Sequence, residues 1–254
     1  VPHNSADTLY YYCTNHSNMG SSTSQITDET KADPYAWKCV LALPLVGSAN
    51  DVSNQLYSGS TTKAITINGS ADSDGISNFY GGSFGFVPGS SQYLSTPGAS
   101  VYAFGTQPFT VEFWYYNNND QSGCNYNQVI GNIAGATAGY WRIGTEFAGA
   151  GEVYFTYTTG GYVDIRTGVN CNDGKWHHIT VVREGTGSNQ TKVYIDGIQR
   201  GVGTAPQNLD STATLYLMYS AQHADPNRLS AGNIQDVRIY NGVAKYTSDF
   251  VVAS

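Results

Sequence analysis

Charged side chains are scarce in this sequence of 254 residues, and the shortage narrows the classes of function. Only 12% of the residues are Asp, Glu, Lys or Arg, whereas an ordinary soluble protein has about 25%. The formal net charge is −7, and no basic run occurs. The chain therefore lacks the positive stripe that neutralises nucleic-acid phosphates, and we expect no nucleic-acid partner.

Long apolar runs are also missing. No segment approaches the ~20 consecutive apolar residues that a helix needs to cross a bilayer, and no signal-peptide pattern opens the chain. We therefore expect no membrane insertion. The chain starts at Val1 rather than at Met, so we expect a processed product or part of a longer protein.

Cysteine is limited to four residues, Cys13, Cys39, Cys124 and Cys171. They show no CxxC or Cys/His spacing, so a zinc site is not indicated. Two disulfides, Cys13–Cys39 and Cys124–Cys171, are the natural hypothesis, and buried free thiols are the alternative.

Glycine and tyrosine are abundant, with 29 and 20 residues, and short alternating segments dominate the chain. Asp173 to Gly201 contains two such segments, with an Asp196-Gly197 turn after the second. An Asp-Gly pair after an alternating run is typical of a β-hairpin, because a tight primed turn requires positive φ angles. The stretch therefore predicts an antiparallel sheet.

The segment from Phe109 to Tyr116 alternates most clearly, so one of its two faces must be core. Further strands are predicted in the segments KCVLALPLVG, AITING, YWRIGT, EVYFTY, YVDIRT, TLYLMYS and NIQDVRIY. In TLYLMYS, alternation places Tyr216 and Met218 on one face and Leu215, Leu217 and Tyr219 on the other. No amphipathic helix of useful length is present. The sequence predicts an all-β sandwich over residues 33–254, preceded by an extension or connector over residues 1–32.

Three segments in order, FGTQPFTVEFWYY, DGKWHHITVVREG with TKVYIDGIQRG, and GNIQDVRIYNGVAKYTSDF, carry a family resemblance. Together they resemble the concanavalin A-like, laminin-G-like jelly-roll family. The upstream ADPYAWKCVLALPLVG and FYGGSFGF are similar to the opening of such domains in marine phage (cyanophage) structural and tail-fibre proteins. The resemblance covers roughly Asp33 to Phe250. It implies a two-sheet antiparallel jelly roll, one sheet being concave, often with calcium near the rim.

Function follows less directly, because this fold carries lectins, glycan hydrolases, adhesion modules and virion components. The family's hydrolases place catalytic carboxylates on one strand in an E-x-D-x-x-E or similar pattern. Only five Glu occur, and none has Asp two residues later: Glu29, Glu112, Glu146, Glu152 and Glu184. Adjacent His177 and His178 would point to opposite faces of a strand, so they cannot converge on one metal ion. We therefore expect no enzyme, and one histidine near the core with the other at the surface.

Carbohydrate binding requires aromatic faces for stacking and polar groups that fix hydroxyls. The candidate stacking residues are Trp114, Tyr116, Trp141, Tyr154, Tyr162 and Tyr216. Each could equally be a core residue or a cross-strand pair.

Calcium is the most credible ion, because hard cations bind Asp carboxylates and loop carbonyls. By similarity to the family's rim site, Asp51 and Asp236 are the candidate ligands. The chain departs from the family pattern at Val87, which follows FGF, and at Gln92, because acidic residues are usual in both places. A structural role for Asp236, satisfied by turn amides, is the alternative.

We therefore expect an extracellular, non-enzymatic recognition module on a virion surface that binds a glycan or the host cell surface. The alternative is a structural or decoration protein that packs against other virion or filament subunits in an oligomer. An enzyme that acts on glycans is the third and least favoured hypothesis.

Overall fold

The computed structural model describes residues 33–87, 91–117, 127–146, 151–221 and 231–252, and two short strands at residues 11–12 and 20–21. Helix is confined, in these residues, to the four-residue α1 (Ser53–Leu56) and two 3-10 turns, Ala36–Lys38 and Ser100–Tyr102. No helix in the described part of the chain is long and apolar enough to cross a membrane.

Seventeen strands make up the rest of the regular structure in these ranges. The first nine are β1 (Tyr11–Tyr12), β2 (Gly20–Ser21), β3 (Cys39–Leu43), β4 (Thr66–Asn68), β5 (Asp72–Asp74), β6 (Ser83–Phe86), β7 (Tyr93–Thr96), β8 (Phe109–Tyr116) and β9 (Asn127–Gly131). The others are β10 (Trp141–Glu146), β11 (Glu152–Thr158), β12 (Tyr162–Asn170), β13 (Trp176–Arg183), β14 (Thr191–Ile195), β15 (Ile198–Gly203), β16 (Leu215–Leu217) and β17 (Gly232–Asn241).

Two antiparallel sheets pack face to face. The eight-stranded sheet has the order β15-β14-β13-β8-β17-β6-β5, and β3 pairs with the second half of β17. The seven-stranded sheet has the order β12-β11-β10-β9-β16-β7-β4. The predicted all-β antiparallel sandwich is confirmed. Strands β1 and β2 form a separate two-stranded sheet within the predicted N-terminal extension.

Burial shows which of the two faces of β8 belongs to the core. Phe109, Val111, Phe113 and Tyr115 are fully buried between the sheets. Phe109 contacts Phe155 of the opposite sheet, with ring centroids 6.0 Å apart. Burying these side chains removes apolar surface from water, which is the dominant favourable term in folding. The other face of β8 therefore points away from the core.

The predicted hairpin forms in the expected register. Ile195 of β14 pairs with Ile198 of β15 across the turn residues Asp196 and Gly197, which have φ angles of 54° and 77°. Two successive positive φ angles are the signature of the primed turn that Asp-Gly favours. The C-terminal segment crosses this turn, where the amide of Phe250 donates to the Gly197 carbonyl at 2.9 Å.

Trp141 corrects one sequence expectation. It was a candidate stacking residue, but its side chain is fully buried in the core and its Nε1 donates to the Tyr102 carbonyl at 3.2 Å. Trp141 pairs with Tyr157 at the start of β10, and alternation points its ring inward. No face of the indole is open to a sugar.

The two described cysteines match the alternative of buried free thiols. Cys39 and Cys171 are buried free thiols, while their expected partners Cys13 and Cys124 lie outside the described residues. Cys39 packs in a small apolar cluster with Ala42, and Cys171 is part of the main core. Burial raises the pKa of both thiols to about 12. The two disulfide pairings stay a prediction, because each involves a residue outside the described ranges.

Strand β16 also differs from the predicted alternation. Leu215 and Leu217 share the core-facing side, but Met218 is buried too and has a φ angle of 64°. The strand ends at Leu217, so the chain turns and brings Tyr219 beside Tyr216. The prediction for Met218 and Tyr219 was wrong, because a two-residue period holds only while the strand continues.

We predict that Trp141→Ala lowers the free energy of unfolding by about 3 to 5 kcal/mol, because it leaves a cavity in the core. Urea unfolding of the unchanged and substituted proteins measures the loss. A loss below about 1 kcal/mol would contradict full burial of the indole.

His177 joins the start of β13 to the hairpin turn. Its Nδ1 lies 2.8 Å from Asp196 Oδ2, and its Nε2 lies 3.0 Å from Asp173 Oδ1. The hydrogen bond to Asp196 raises the pKa of His177; burial opposes this and the hydrogen bond to Asp173 reinforces it. Burial alone would raise the pKa of both carboxyl groups, but hydrogen bonds to His177 hold them below the usual range.

The raised pKa makes the contribution of His177 depend on pH. A histidine whose folded-state pKa lies above 6.5 contributes its full stabilisation below that value and loses it as the pH rises through the folded-state pKa. We predict that His177→Gln destabilises the protein more at about pH 5.5 than at about pH 9. Urea unfolding at both pH values measures this, and an equal or larger loss at the higher pH would contradict the bridge.

Candidate functional site

A partly enclosed polar and aromatic surface lies on the outer face of the eight-stranded sheet. We call it the sheet pocket; its volume is about 530 Å³. Strands β8, β13 and β17 form its floor, and its walls come from residues 33–35, 79–80 and 245–252.

Strand register brings the floor residues together. Trp114 of β8 pairs with His178 of β13, and Glu112 pairs with Arg238 of β17. Because neighbouring strands point paired side chains to the same face, residues far apart in sequence meet on this surface.

The aromatic side of the sheet pocket is centred on half-buried Trp114. Its ring is 5.7 Å from Phe79 in an edge-to-face contact and 5.2 Å from the His178 ring. Tyr80 extends this side with a ring that is 79% exposed. A partly open indole flanked by other rings is the kind of surface on which the apolar face of a sugar can stack.

The polar side of the sheet pocket is centred on Lys245. Its Nζ lies 2.6 Å from Glu112 Oε1 and 3.2 Å from Asp33 Oδ2, and all three side chains are less than one-tenth exposed. The Tyr240 hydroxyl hydrogen-bonds to Asp33 and lies 3.2 Å from Lys245 Nζ. The ammonium group is therefore enclosed by acceptors and by the face of the Tyr240 ring, 4.3 Å away.

One acceptor on this surface is unused. Glu112 Oε2 is buried and, among the described residues, accepts no hydrogen bond. The Tyr246 phenol lies close by, and burial together with the Glu112 carboxylate raises its pKa. A buried carboxylate oxygen without a donor is costly, so it favours a ligand hydroxyl or a water that can donate to it.

Asp236 and Arg238 form the second charged pair of the sheet pocket. Arg238 Nε donates to Asp236 Oδ1 at 2.9 Å. Asp236 has a φ angle of 48° and interrupts the regular register between β17 and β8. This bulge places both side chains on the pocket wall.

His178 contributes shape rather than charge. Its side chain is buried beside the Phe250 ring, and its Nδ1 lies 3.2 Å from Thr180 Oγ1. Burial lowers its pKa, so the ring is neutral at neutral pH. His177 lies at the rim of the sandwich; as expected, the two histidines do not share a site.

Asp51 is occupied by protein donors. Its Oδ1 accepts from the amides of Ala42 and Ser53, and its Oδ2 accepts from the Ser53 hydroxyl and the Lys63 amide, at distances from 2.7 to 3.1 Å. A carboxylate has about four lone-pair positions, so Asp51 fastens its loop to β3 and has no position left for an ion.

The structure does not bring Asp51 and Asp236 into one cluster. The described residues contain no group of three or more His, Cys, Asp or Glu side chains that could hold a metal ion. Calcium binding stays a prediction without a described set of ligands.

The remaining aromatic candidates lie outside the sheet pocket. Tyr216 joins Tyr93 and Tyr219 in a half-buried cluster on the outer face of the seven-stranded sheet, with Tyr93 and Tyr219 stacked at 4.4 Å. We call these three residues the tyrosine cluster. Tyr154 is fully buried, and the Arg142 guanidinium lies over its ring at 5.5 Å.

Tyr162 and Tyr116 are the last two candidates. Tyr162 is 40% exposed, and the Arg142 guanidinium lies 5.8 Å from its ring. Half-buried Tyr116 packs against Trp176 at 5.6 Å, as a cross-strand aromatic pair. Neither residue lines the sheet pocket.

Sequence reasoning identified Trp114 and Asp236 but not their proximity. It missed Lys245, Asp33 and the ring of Phe250, which come from segments without a regular period. Alternation in β8 predicts that Glu112 shares a face with Trp114, and burial of the opposite face makes this the outer one.

The sequence model of the concanavalin A-like lectin/glucanases superfamily matches residues 88–246, more than half of the chain. No curated protein matches the chain.

Several solved structures have a similar fold. The binding domain of Paraclostridial Mosquitocidal Protein 1 has a TM-score of 0.64 at 13% identity, covering 83% of this chain and 51% of that one. A second similar structure is domain 4 of AbnA, a GH43 extracellular arabinanase from Geobacillus stearothermophilus, in complex with arabinotriose. It has a TM-score of 0.58 at 19% identity, and the match covers 82% of this chain and 94% of that domain.

A third similar structure is that of botulinum neurotoxin type C, whose cell entry depends on interaction with two ganglioside molecules. It has a TM-score of 0.60 at 16% identity, and the match covers 83% of this chain and 50% of the toxin chain. The chain thus spans about half the length of the two toxin structures.

We predict that Lys245→Met lowers the free energy of unfolding by about 3 kcal/mol, because it leaves two buried carboxylates without their cation. Urea unfolding measures the loss. The double variant Lys245→Met with Glu112→Gln should recover part of it, because one uncompensated charge is removed. A single variant as stable as the unchanged protein would contradict the pairing.

Proposed function

The chain belongs to the concanavalin A-like lectin/glucanases superfamily, and on this premise we propose that it is a non-enzymatic recognition module that binds carbohydrate in the sheet pocket. The observation that carries the proposal is the combination of half-buried Trp114 with the unused acceptor Glu112 Oε2 in one cavity. A sugar needs both an apolar surface for its ring face and convergent polar groups for its hydroxyls.

The known proteins of similar fold support the carbohydrate class. Domain 4 of AbnA is in complex with arabinotriose, and cell entry of botulinum neurotoxin type C depends on interaction with two ganglioside molecules. The identities of 19% and 16% establish only a shared fold. The proposal for this chain therefore rests on the residues of its own pocket.

The arrangement of charges favours binding over hydrolysis. A glycosidase needs one carboxyl group that donates a proton and another that acts as nucleophile or base. In the sheet pocket the Lys245 ammonium group lies between Glu112 and Asp33, within 2.6 Å and 3.2 Å of their oxygens. The two carboxylates therefore hold a cation between them, in the place where a hydrolase would hold the glycosidic bond.

We further propose that the module acts on a virion surface, in contact with a host cell and in an oligomer with other virion or filament subunits. This context is supported by the sequence motifs shared with marine phage structural and tail-fibre proteins. An outward-facing pocket is consistent with an extracellular ligand.

A second candidate function is packing against a neighbouring subunit without sugar. The edge strand β15 exposes Ile198 and Val202, which are 44% and 48% accessible. Apolar side chains on an exposed sheet edge can seat another chain.

We predict that Trp114→Ala weakens binding of the preferred glycan at least about tenfold, because the stacking face is lost. A glycan array identifies the ligand, and calorimetry with that ligand measures the change. Circular dichroism checks that the variant is folded.

Tyr216→Ala is the matched control, because it removes an aromatic ring from the tyrosine cluster on the opposite outer face. It should leave the affinity unchanged. If Tyr216→Ala abolishes binding and Trp114→Ala does not, the glycan site is the tyrosine cluster. An array without any hit would count against carbohydrate binding and favour the packing role.

A further inference from the structure

The charges in the sheet pocket point to the class of saccharide that it can accept. Three carboxylates and two cations line the cavity: Asp33, Glu112, Asp236, Lys245 and Arg238. His178 adds no positive charge at neutral pH, because burial lowers its pKa. The lining therefore has an excess of one negative charge.

Both cations are already paired with carboxylates of the protein. Lys245 is held by Glu112 and Asp33, and Arg238 is held by Asp236. An incoming anion would have to compete with these pairs and would face Glu112 Oε2, the buried oxygen without a donor. At the short distances and reduced dielectric of a partly enclosed cavity, like charges repel strongly.

A neutral sugar meets no such opposition. Its hydroxyl groups can donate to Glu112 Oε2, while its ring face lies against Trp114. Arg238 offers further hydrogen bonds, because within the described part of the chain its two terminal nitrogens donate none. Sugar hydroxyls can accept from these nitrogens without displacing Asp236.

We propose that the sheet pocket selects uncharged saccharide units and rejects carboxylated ones, with Glu112 and Asp236 as the specificity-determining residues. The inference rests on the proposed function, because it names the ligand class of the same site. It goes further in assigning the rejection of anions to two named carboxylates.

The direct test is a glycan array that carries neutral oligosaccharides beside their counterparts with uronic or sialic acids. The unchanged full chain should bind neutral members at least about tenfold more tightly than the matched acidic ones. The difference in affinity between neutral and acidic glycans should become smaller at raised ionic strength, because salt screens the repulsion between the pocket carboxylates and an acidic glycan.

The diagnostic variant is Asp236→Asn. Asn tolerates the positive φ angle at this position and keeps the side-chain shape. The substitution removes one carboxylate and leaves Arg238 without its anionic partner. The ratio of acidic-glycan affinity to neutral-glycan affinity should rise about tenfold or more.

Asp72→Asn is the matched control, because it changes the net charge equally at an exposed position on the edge strand β5. It should leave the preference unchanged. Glu112→Gln provides a second diagnostic variant that leaves the Asp236–Arg238 pair intact, should Asp236→Asn fail to fold.

The outcomes separate the two proposals. Equal binding of neutral and acidic glycans by the unchanged chain overturns the specificity inference but leaves carbohydrate binding in place. Unchanged rejection of acidic glycans in folded Asp236→Asn or Glu112→Gln variants overturns the assignment to these carboxylates. Absence of binding to every glycan overturns the proposed function and the specificity inference together.

Discussion

The two-residue period of strand β8 is the constraint on which the rest of the structure depends. Because successive side chains point to opposite faces, the burial of Phe113 forces Trp114 outward, and the burial of Val111 forces Glu112 outward. Pairing with β13 and β17 extends both faces across the sheet. The same alternation therefore builds the core on one side and the floor of the sheet pocket on the other.

The outer face would remain an open sheet without the segments that cross it. Residues 245–252 and 33–35 turn this face into a cavity. Lys245 joins them, because its ammonium group contacts Glu112 on the sheet and Asp33 at the start of the sandwich domain. Stacking of Tyr246 on Phe250, with ring centroids 3.6 Å apart, orders the C-terminal wall. One buried ion cluster thus links the sheet to the segments that enclose the sheet pocket, and the same pairing sets the charge of the pocket lining.

Features that depend on neighbouring residues could be predicted from the sequence, whereas features that depend on contacts between distant segments could not. The strand at Phe109–Tyr116 and the turn at Asp196 depend on local chemistry, and both were predicted. Trp114 and Trp141 were both candidates for sugar stacking, and only packing separates them, since one ring faces outward and the other fills the core. The loop carboxylate of Asp51 was expected at an ion, but nearby amides and a hydroxyl occupy it. Such partners depend on how loops close in space, which no local pattern encodes.

The sequence by itself determined the all-β class, most strand positions and the resemblance over Asp33 to Phe250, because periodicity and turn chemistry act over a few residues. Residue identities alone also show that no Glu is followed by Asp two residues later, so the E-x-D-x-x-E pattern is absent from the sequence. The tertiary structure alone decided which face of each strand is core and which residues surround Trp114. It decided that Glu112, Asp33 and Lys245 meet, although up to 212 positions separate them along the chain. The physical reason is that charge pairing and enclosure arise only when distant segments pack.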